Sequence, residues 1–407
     1  MSRFAFACVA FVALVAFALT GCSKNESTET LEPAPPAPAD GAPATSAAPA
    51  QPAETEPAGA IHIKVGVTIP KTGEVATYGD EADKGIALAV KDAKAEGKVW
   101  PTTLVVDNGG TQQQTATSVK KFIDSDKVSA ILGPITTNNT IQAGDLVEAA
   151  GVPLISPSAT NVDVTKNRKY VFRVCFTDDV QGRTVANFAF DTGARKAGLL
   201  VNSNEAYSRG LADVIAAQFK GRSGKIVSTL SFTKDTDDFS GQITQLRLNS
   251  PDVVFLPAYY EQVAKCIAQA RAAGLRAKFV GTDGWDSPDL YTISNGAVKG
   301  NYFSSHFSPL EDRPIVKRFV ENYRAAYRKE PGAIAALSYD AAALLFDATK
   351  RAGSADRQAV TTALAATKDF EGVTGKFSID QNHNPVKAVF ILETGQSGAT
   401  IKQIINP

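Results

Sequence analysis

The sequence is poor in the residues on which many metal and redox sites depend. Its 407 residues include only four cysteines, three histidines and one methionine. The histidines are His62, His306 and His383, and their wide separation argues against a histidine-based metal site. The 42 basic and 42 acidic residues give a net charge of zero, whereas a nucleic-acid-binding protein would show a basic excess. We therefore predict no metal site and no nucleic-acid partner.

Common catalytic and nucleotide-binding motifs are also missing. No G-x-G-x-x-G segment follows the first β-branched segment, so a dinucleotide is not supported. Residues 221–225 and 372–376 faintly resemble phosphate loops, but neither has Ser or Thr after its lysine, and we interpret both as turns before strands. There is no G-x-S-x-G nucleophile elbow. These absences favour a binding protein over an enzyme, and we predict no organic cofactor.

The first residues predict export and lipid attachment. Arg3 is followed by an apolar run at residues 4–19, which is shorter than the roughly 20 residues that span a membrane. A charged start, a short apolar run and small residues at the cut are typical of a secretory signal peptide. Leu19-Thr20-Gly21-Cys22 resembles the lipobox of bacterial lipoproteins. We predict a signal peptide at residues 1–21 and lipidation of Cys22, the alternative being an ordinary signal peptide that happens to end beside a cysteine.

A polar, proline-rich segment follows the predicted lipidation site. Residues 23–60 contain eight prolines, many alanines and no aromatic residue. Such a stretch cannot bury enough apolar surface to offset the entropy of ordering. We predict that residues 22–60 are a disordered tether that holds a globular part on the extracytoplasmic face of a membrane.

Two cysteines remain in the globular part. Cys175 and Cys266 both lie in apolar segments. They could pair in an oxidising compartment, but two separate buried thiols are our preferred interpretation.

From residue 61 onward, short β-branched segments alternate with amphipathic ones. This alternation predicts parallel sheets covered by helices on both faces, and the number of units predicts two similar α/β lobes. Ligands of such sheets bind beyond the carboxyl ends of the strands. The spacing predicts strands at 61–69, 104–106, 129–132, 153–155, 196–201, 225–230, 252–256 and 278–280. It predicts helices at 78–96, 112–125, 141–150, 183–191, 207–220, 239–248, 261–273, 314–328 and 334–350.

Two hydroxyl-rich loops follow neighbouring predicted strands. Residues 133–140 read G-P-I-T-T-N-N-T before a helix, and residues 155–161 read I-S-P-S-A-T-N. Hydroxyls and free N–H groups at a helix N-terminus can bind a carboxylate, although capping of the helix is their commoner use. Two such loops on adjacent strands could hold one carboxylate from two sides.

A third post-strand loop carries a carboxylate beside an indole. Asp283 and Trp285 follow the strand predicted at 278–280. This pair suits an ammonium group, through charge pairing and contact with the ring face. As alternatives, Asp283 could cap a turn and Trp285 could lie in the core.

Across nearly all of residues 61–407 the chain resembles the periplasmic leucine/isoleucine/valine-binding protein family. Members are the substrate-binding components of branched-chain amino-acid ABC transporters. The resemblance is carried by segments whose order and spacing match the family: Ile63-Lys64-Val65-Gly66-Val67, Thr72-Gly73, Tyr78-Gly79-Asp80, Ile131-Leu132-Gly133-Pro134, Ile155-Ser156-Pro157-Ser158-Ala159-Thr160-Asn161, Phe172-Arg173-Val174, Gln181-Gly182 and Gly281-Thr282-Asp283-Gly284.

The resemblance implies a type I periplasmic binding protein fold. Two doubly wound α/β lobes with parallel sheets are joined by a three-segment hinge and close on the ligand. The implied first lobe comprises residues 61–178 plus 305–373, and the second comprises 179–304 plus 374–407. A monomer is expected.

The resemblance also implies the roles of individual residues. Thr137 and Thr160 are expected to hold the α-carboxylate of an amino acid, and the backbone of Ser158 and the carboxylate of Asp283 its α-ammonium group. The remaining expected contacts of the ligand-binding set are Tyr78, Ala159, Tyr207 and Tyr259.

Two departures from the family pattern stand out. The family archetype has a glutamate where this chain has Asp283, which shortens the reach to the ammonium group. The archetype's disulfide in the first lobe has no counterpart, because residues 108–111 and Thr136 include no cysteine.

The function expected from this resemblance is capture of an amino acid, branched-chain or related, and its delivery to ABC permease subunits. The alternative is a sensory or regulatory lipoprotein of the same fold that signals to a partner protein. A scaffold for protein partners is a further alternative.

Overall fold

The first sheet of the protein is entirely parallel. The computed structural model describes residues 56–406, and the predicted signal peptide, Cys22 and most of the predicted tether lie outside the described residues. Strands β1 to β5 form one sheet in the order β2-β1-β3-β4-β5. Their bounds are β1 Ile61–Ile69, β2 Val99–Asp107, β3 Ala130–Leu132, β4 Leu154–Ser156 and β5 Val171–Arg173. The connecting helices are α1 Ala76–Glu96, α2 Gln112–Asp124 and α3 Thr137–Ala150.

The second sheet has seven strands and is mixed. Its first five strands are β6 Lys196–Asn202, β7 Lys225–Phe232, β8 Val253–Leu256, β9 Lys278–Gly281 and β10 Tyr302–Ser305. The helices of this part of the chain are α4 Asp178–Asp191, α5 Ala206–Gly221, α6 Ser240–Asn249, α7 Tyr260–Ala272 and α8 Asp289–Ile293. Strands β13 Val389–Thr394 and β14 Ala399–Ile405 join it late in the chain, in the order β14-β13-β10-β9-β8-β6-β7. Both pair antiparallel, so the predicted parallel pairing does not extend to this edge.

The chain returns to the first sheet between β10 and β13. Helices α9 Pro314–Tyr327, α10 Ala333–Ala352 and α11 Arg357–Ala365 precede a hairpin of β11 Phe370–Gly372 and β12 Gly375–Phe377. Helix α10 packs against α1 and α11. A Cβ at Gly85 would lie 2.1 Å from the Ala335 carbonyl oxygen, so this close helix pair requires glycine. We call the first sheet with α1–α3 and α9–α11 lobe 1, and the second sheet with α4–α8 lobe 2.

The chain passes between the lobes three times. The crossings lie between β5 and α4, between β10 and α9, and between β12 and β13. Lys387, in the third crossing, is buried, and its Nζ donates to the Val174 carbonyl oxygen in the first crossing at 2.8 Å. Burial lowers the pKa of Lys387 to about 8. A buried lysine that binds a carbonyl therefore ties two of the crossings together.

Most predicted elements are present, with shifted ends. The structure begins α3 at Thr137 rather than at 141 and α4 at Asp178 rather than at 183. Strands β5 and β10 and helices α8 and α11 were not predicted. The two glycine-lysine segments do lie at turns before strands β7 and β12.

The two cysteines of the described chain are separate. Cys175 and Cys266 are free and buried, and burial raises the pKa of each thiol to about 12. The preferred interpretation, two buried thiols rather than a disulfide, is confirmed.

Candidate ligand-binding cleft

The predicted ligand-binding residues gather where the strand ends of the two lobes face each other. A cavity of about 20 Å³ lies there, which we call the inner cavity. Five of the eight predicted residues line it, namely Tyr78, Ser158, Tyr207, Tyr259 and Asp283. Its other lining residues are Ile135, Thr136, Gly284 and Ile334.

The backbone after β3 explains how the first loop reaches the cleft. Gly133 has a φ of +87°, a conformation that other residues seldom adopt. A Cβ there would also lie 2.3 Å from the Thr68 carbonyl oxygen. Glycine therefore lets the chain turn tightly at the end of β3 and carry Ile135 and Thr136 into the cleft.

Thr137 and Thr160 lie beside lining residues without lining the inner cavity themselves. Both are almost fully buried, at 1% and 0% exposure, and neither hydroxyl has a hydrogen-bond partner among the described residues. Thr136, which precedes α3, makes no side-chain cap bond. A buried hydroxyl without a partner costs about 1–3 kcal/mol, so the burial of these two hydroxyls is unfavourable in the described structure.

Ala159 is placed differently from the other predicted residues. Its N–H donates to the Ser156 hydroxyl at 3.2 Å, and its carbonyl oxygen accepts from the buried Arg173 guanidinium at 2.8 Å. Arg173 also donates to the Asn161 carbonyl oxygen at 2.9 Å. The backbone of Ala159 thus holds the loop in shape, and Ala159 does not line the inner cavity.

The Asp283 carboxylate is held from two sides. The Tyr207 hydroxyl donates to Oδ1 at 2.7 Å, and Nε2 of His306 lies 3.0 Å from Oδ2. Because a carboxylate only accepts hydrogen bonds, we assign the proton of the neutral imidazole to Nε2. Burial lowers the pKa of His306, although Asp283 opposes this. The two neighbours fix Asp283 at the edge of the inner cavity.

His306 was missed by the sequence analysis as a cleft residue. It is 1% exposed, and its ring stacks on Phe176 with 3.6 Å between centroids. It directly follows β10, which runs parallel to β9, and β10 itself was not predicted, so no sequence signal placed His306 at a strand end. Gln181, one of the residues that carry the family resemblance, also holds the Asp283 loop: its Oε1 accepts from the Asp283 N–H at 3.4 Å and the Ser304 hydroxyl at 3.0 Å.

Trp285 lies in the core, as the alternative interpretation held. It is fully buried, and its Nε1 donates to the Leu256 carbonyl oxygen at 2.9 Å. It does not line the inner cavity. The indole therefore supports the Asp283 loop from behind rather than contacting a ligand.

Three tyrosines form the aromatic wall of the cleft. Tyr207 and Tyr259 stack with centroids 5.1 Å apart, and Tyr78 meets Tyr259 edge to face at 6.2 Å. Burial raises the pKa of all three well above its usual range, so the phenols stay neutral. The Tyr78 hydroxyl donates to the Gly284 carbonyl oxygen at 2.5 Å, which joins lobe 1 to lobe 2.

Two asparagines of lobe 1 form hydrogen bonds with lobe 2, and both of them bond to Ala206. Asn138 Oδ1 accepts from the Ala206 N–H at 3.0 Å, and its Nδ2 donates to the Asn204 carbonyl oxygen at 3.1 Å. Asn161 Nδ2 donates to the Ala206 carbonyl oxygen at 3.1 Å. Tyr260 adds a bond to the Glu74 carbonyl oxygen at 2.9 Å. We call Asn138, Asn161 and Ala206 the latch, because these bonds join the lobes across the cleft.

Asp178 is a buried acid beside Thr160. Its Oδ1 accepts from Gln181 Nε2 at 3.2 Å, whereas Oδ2 is buried without a hydrogen-bond partner among the described residues. Burial raises the pKa of Asp178 to about 7, opposed in part by the nearby Thr160 hydroxyl. The carboxylate is thus destabilised by its surroundings at the base of the cleft.

Neither a membrane helix nor a metal cluster is found in the described part of the chain. Within residues 56–406, no helix is long and apolar enough to cross a bilayer. The same residues contain no group of three or more His, Cys, Asp or Glu side chains placed to hold a metal ion.

Two α/β lobes that meet over a small polar cavity define the class of two-lobed solute-binding proteins. The family described as periplasmic binding protein matches residues 62–399. Because the match spans most of the chain, the protein belongs to the periplasmic binding protein family.

Relatives of known sequence lie at moderate identity. The Leu/Ile/Val-binding protein BraC3 of Rhizobium johnstonii is 27% identical over 350 residues, which are 85% of this chain and 95% of the relative. The leucine-specific-binding protein of Salmonella typhimurium is 29% identical over 304 residues, covering 74% of this chain and 82% of that protein.

Solved structures show the same fold. The leucine-binding protein of Thermotoga maritima aligns with a TM-score of 0.82 at 31% identity, covering 85% of this chain and 99% of that one. A branched-chain amino acid transporter substrate-binding protein of Streptococcus pneumoniae, in complex with isoleucine, aligns with a TM-score of 0.79 at 32% identity, covering 84% and 99%. The fold is therefore that of the type I periplasmic binding proteins.

The variant Asp178→Asn tests whether the pKa of the buried Asp178 is raised. A folded-state pKa raised from 3.8 to about 7 means that the folded state binds more protons than the unfolded state between these values. The contribution of Asp178 to the free energy of unfolding therefore falls as pH rises through this range. We expect Asp178→Asn to be more stable than the wild type at pH 8, by about 1–3 kcal/mol, and to have no such advantage at pH 5.

Urea unfolding at the two pH values measures this difference. Asp213→Asn removes an exposed carboxylate from α5 and controls for the loss of one negative charge. An equal effect of Asp178→Asn at both pH values would contradict the assignment of a raised pKa to Asp178.

Proposed function

We propose that the protein captures an amino acid, branched-chain or related, outside the cytoplasmic membrane and delivers it to the permease subunits of an ABC transporter. The observation that carries the proposal is the pair of buried, unpartnered hydroxyls of Thr137 and Thr160, beside a cavity whose far wall carries Asp283. Hydroxyl donors suit a carboxylate, and a carboxylate suits an ammonium group. The printed names of the relatives support the same ligand class.

In this proposal the residues keep the roles that the family resemblance implies. Thr137 and Thr160 donate to the α-carboxylate, and Asp283 and the backbone of Ser158 accept from the α-ammonium group. Tyr78, Tyr207 and Tyr259 enclose the ligand. His306 and Arg173 act as positioning residues, because they hold Asp283 and the loop of Ser158 through the hydrogen bonds described above.

The proposed lobe boundaries are those that the family resemblance implies. Two of them lie next to crossings, at the start of α4 and the end of β10, and the third lies in the turn between β11 and β12, ahead of the crossing between β12 and β13. We assign residues 61–178 and 305–373 to lobe 1 and 179–304 and 374–407 to lobe 2. Lobe 1 supplies both threonines and lobe 2 supplies Asp283, so the ligand contacts both lobes only when they close. Such differential contact shifts an open–closed equilibrium toward the closed state. The protein acts as a monomer and performs no catalysis.

Thr160→Val tests the carboxylate site, because valine keeps the shape of threonine without the hydroxyl. We expect amino-acid affinity to fall about tenfold or more, the equivalent of about 1.4 kcal/mol. Because the Thr160 hydroxyl also lowers the pKa of the adjacent Asp178, the stability of the free variant is measured in parallel. Protein unfolded and refolded to remove carried-over ligand is screened by thermal shift against amino acids and small amides, and affinities follow by calorimetry.

The matched control is Thr115→Val. Thr115 is also buried with an unpartnered hydroxyl, but it lines neither the inner cavity nor its surroundings. The variant Thr115→Val should bind amino acids with the affinity of the wild type. Wild-type affinity in Thr160→Val would remove Thr160 from the site, and a wild type that binds no amino acid would refute the proposed function.

Asn138→Ala tests whether the latch sets the closed state. The variant loses two hydrogen bonds between the lobes, each worth about 0.5–1.5 kcal/mol. We expect the free protein to open, which increases its radius of gyration in small-angle scattering. Apparent affinity should fall roughly tenfold, because less of the protein is in the binding-competent state.

Asn249→Ala is the control for the latch. Asn249 is exposed, and its amide donates only within its own helix, to Gln245. This variant should match the wild type in both measurements. An Asn138→Ala protein with unchanged dimensions and affinity would show that the latch does not control closure.

We propose that Cys22 carries a lipid that anchors the protein to a membrane. The lipobox-like segment ending at Cys22 and the family's extracytoplasmic location support this. Cys22→Ser should move the protein from the membrane fraction to the soluble extracytoplasmic fraction, because the only expected membrane attachment is lost. Fractionation and immunoblotting measure this, with Cys8→Ser as the control in the signal peptide. Unchanged membrane recovery of Cys22→Ser would contradict lipidation.

A further inference from the structure

Two buried polar groups without partners lie beside each other at the base of the cleft. Thr160 lies in the second hydroxyl-rich loop of lobe 1, and Asp178 begins α4. The Asp178 N–H donates to the Thr160 carbonyl oxygen at 2.9 Å, which fixes the two residues next to each other. The Thr160 hydroxyl and Asp178 Oδ2 are both buried and have no hydrogen-bond partner among the described residues.

The Thr160 hydroxyl has a single hydrogen to donate. In the proposed function that hydrogen goes to the α-carboxylate of the ligand. An ionised Asp178 competes for it, because an ionised carboxylate only accepts hydrogen bonds. A protonated Asp178 instead donates to the hydroxyl oxygen, and the Thr160 hydrogen is then free for the ligand.

Charge acts in the same direction as hydrogen bonding. A ligand carboxylate held by Thr160 places a second negative charge near Asp178, and two carboxylates that share a buried site do not both ionise readily. Asp178 is 2% exposed, so solvent and salt screen this repulsion little. A proton on Asp178 removes the repulsion.

In the free protein, other groups favour the ionised form of Asp178. Burial raises its pKa to about 7, but the buried Arg173 guanidinium opposes that shift through space. The hydrogen bonds of Arg173 go to Ala159, Asn161 and Thr165. Asp178 also lies in the first turn of α4, where the helix dipole favours negative charge. Free Asp178 is therefore mostly ionised above neutral pH.

The surroundings of Asp178 single out Oδ2 as the oxygen that takes a proton. Gln181 Nε2 donates to Oδ1 at 3.2 Å, and the Gln181 Oε1 on the other side of the amide accepts from the Asp283 N–H at 3.4 Å. Helix α5 faces Oδ2 with Gly210, whose added Cβ would lie 3.5 Å away. Oδ1 thus already accepts a hydrogen bond, whereas Oδ2 does not.

We propose that Asp178 takes up a proton at Oδ2 when the ligand carboxylate binds at Thr160, so that capture of the amino acid is linked to proton uptake from solution. This inference rests on the proposed function and adds the regulation of the same site by pH. The amino acid then binds more tightly on the acidic side of neutral pH than on the basic side.

Calorimetry on the refolded full chain, with leucine, isoleucine and valine as ligands, tests the proposal. At a fixed pH, the observed binding enthalpy varies with the ionisation enthalpy of the buffer, and the slope gives the number of protons taken up. In phosphate and Tris at pH 7.5 we expect uptake of about half a proton or more per amino acid. With a second pair of buffers at pH 5.5 the uptake should be close to none, because free Asp178 is then already protonated.

The pH dependence of the affinity gives a second readout. Because Asp178 in the complex holds its proton more firmly than free Asp178, affinity should fall about fivefold or more from pH 6 to pH 8. The charged groups that face Asp178 are Arg173 and Asp283, and Cys175 and Tyr259 also face it. Burial raises the pKa of this thiol to about 12 and that of this phenol well above its usual range, so both stay neutral over the whole range.

The variant Asp178→Asn separates Asp178 from other buried groups that titrate near neutral pH. Burial raises the pKa of Glu81 to about 8 and that of Glu205 to about 7. It lowers the pKa of Lys387 to about 8 and also that of His306. Asp178→Asn leaves all four groups in place. It should lose the proton uptake at pH 7.5 and bind with an affinity that is nearly independent of pH from 6 to 8.

The matched control is Asp179→Asn. Asp179 lies in the same first turn of α4 but is only half-buried, so the variant removes one negative charge from the same helix end. It should keep the proton uptake and the pH dependence. If Asp178→Asn does not fold, Thr160→Val replaces it: the Thr160 hydroxyl lowers the pKa of free Asp178, so its loss leaves free Asp178 more protonated and should reduce the uptake.

The outcomes separate this proposal from the proposed function. Amino-acid binding by the wild type without proton uptake at pH 7.5, or uptake that persists in Asp178→Asn, would overturn the role of Asp178 and leave amino-acid capture intact. If the wild type binds no amino acid, the proposed function itself fails.

Discussion

The cleft depends on burying polar groups for which the folded chain supplies no partner. The hydroxyls of Thr137 and Thr160 and one oxygen of Glu205 are buried without hydrogen bonds among the described residues. Each such group costs the folded state free energy, and the rest of the fold must offset that cost. The large apolar cores of the two sheets do so. In the proposed function, an added ligand would supply the missing partner at Thr137 and Thr160.

Hydrogen bonds between polar groups also join the two lobes across the cleft. The latch pairs Asn138 and Asn161 with both backbone groups of Ala206, and the Tyr78 hydroxyl reaches Gly284 from the other lobe. These bonds exchange for bonds to water when the cleft opens, so each contributes little net free energy. A ligand that contacts both lobes therefore decides the balance between open and closed states.

Five of the eight residues predicted from the sequence line one cavity, because the patterns that placed them are local. The hydroxyl-rich loops follow β3 and β4, which are adjacent in the sheet, and Asp283 follows β9, so strand ends alone brought these loops to one edge. Ala159 and Trp285 were harder to place, because residues on one loop can face the cavity or the core. His306 was missed because isolated histidines carry no pattern, although it contacts Asp283.

The sequence by itself determined the alternation of strands and helices, and hence which loops gather at one edge of each sheet, because periodicity and turn residues act over short distances. Tertiary structure decided which polar groups are paired. The partners lie far apart in the chain: Tyr78 and Gly284 are separated by 206 residues, and Tyr207 and Asp283 by 76. Only the folded packing leaves the Thr160 hydroxyl buried without a hydrogen-bond partner among the described residues, because a hydrogen bond requires positions accurate to a few tenths of an ångström.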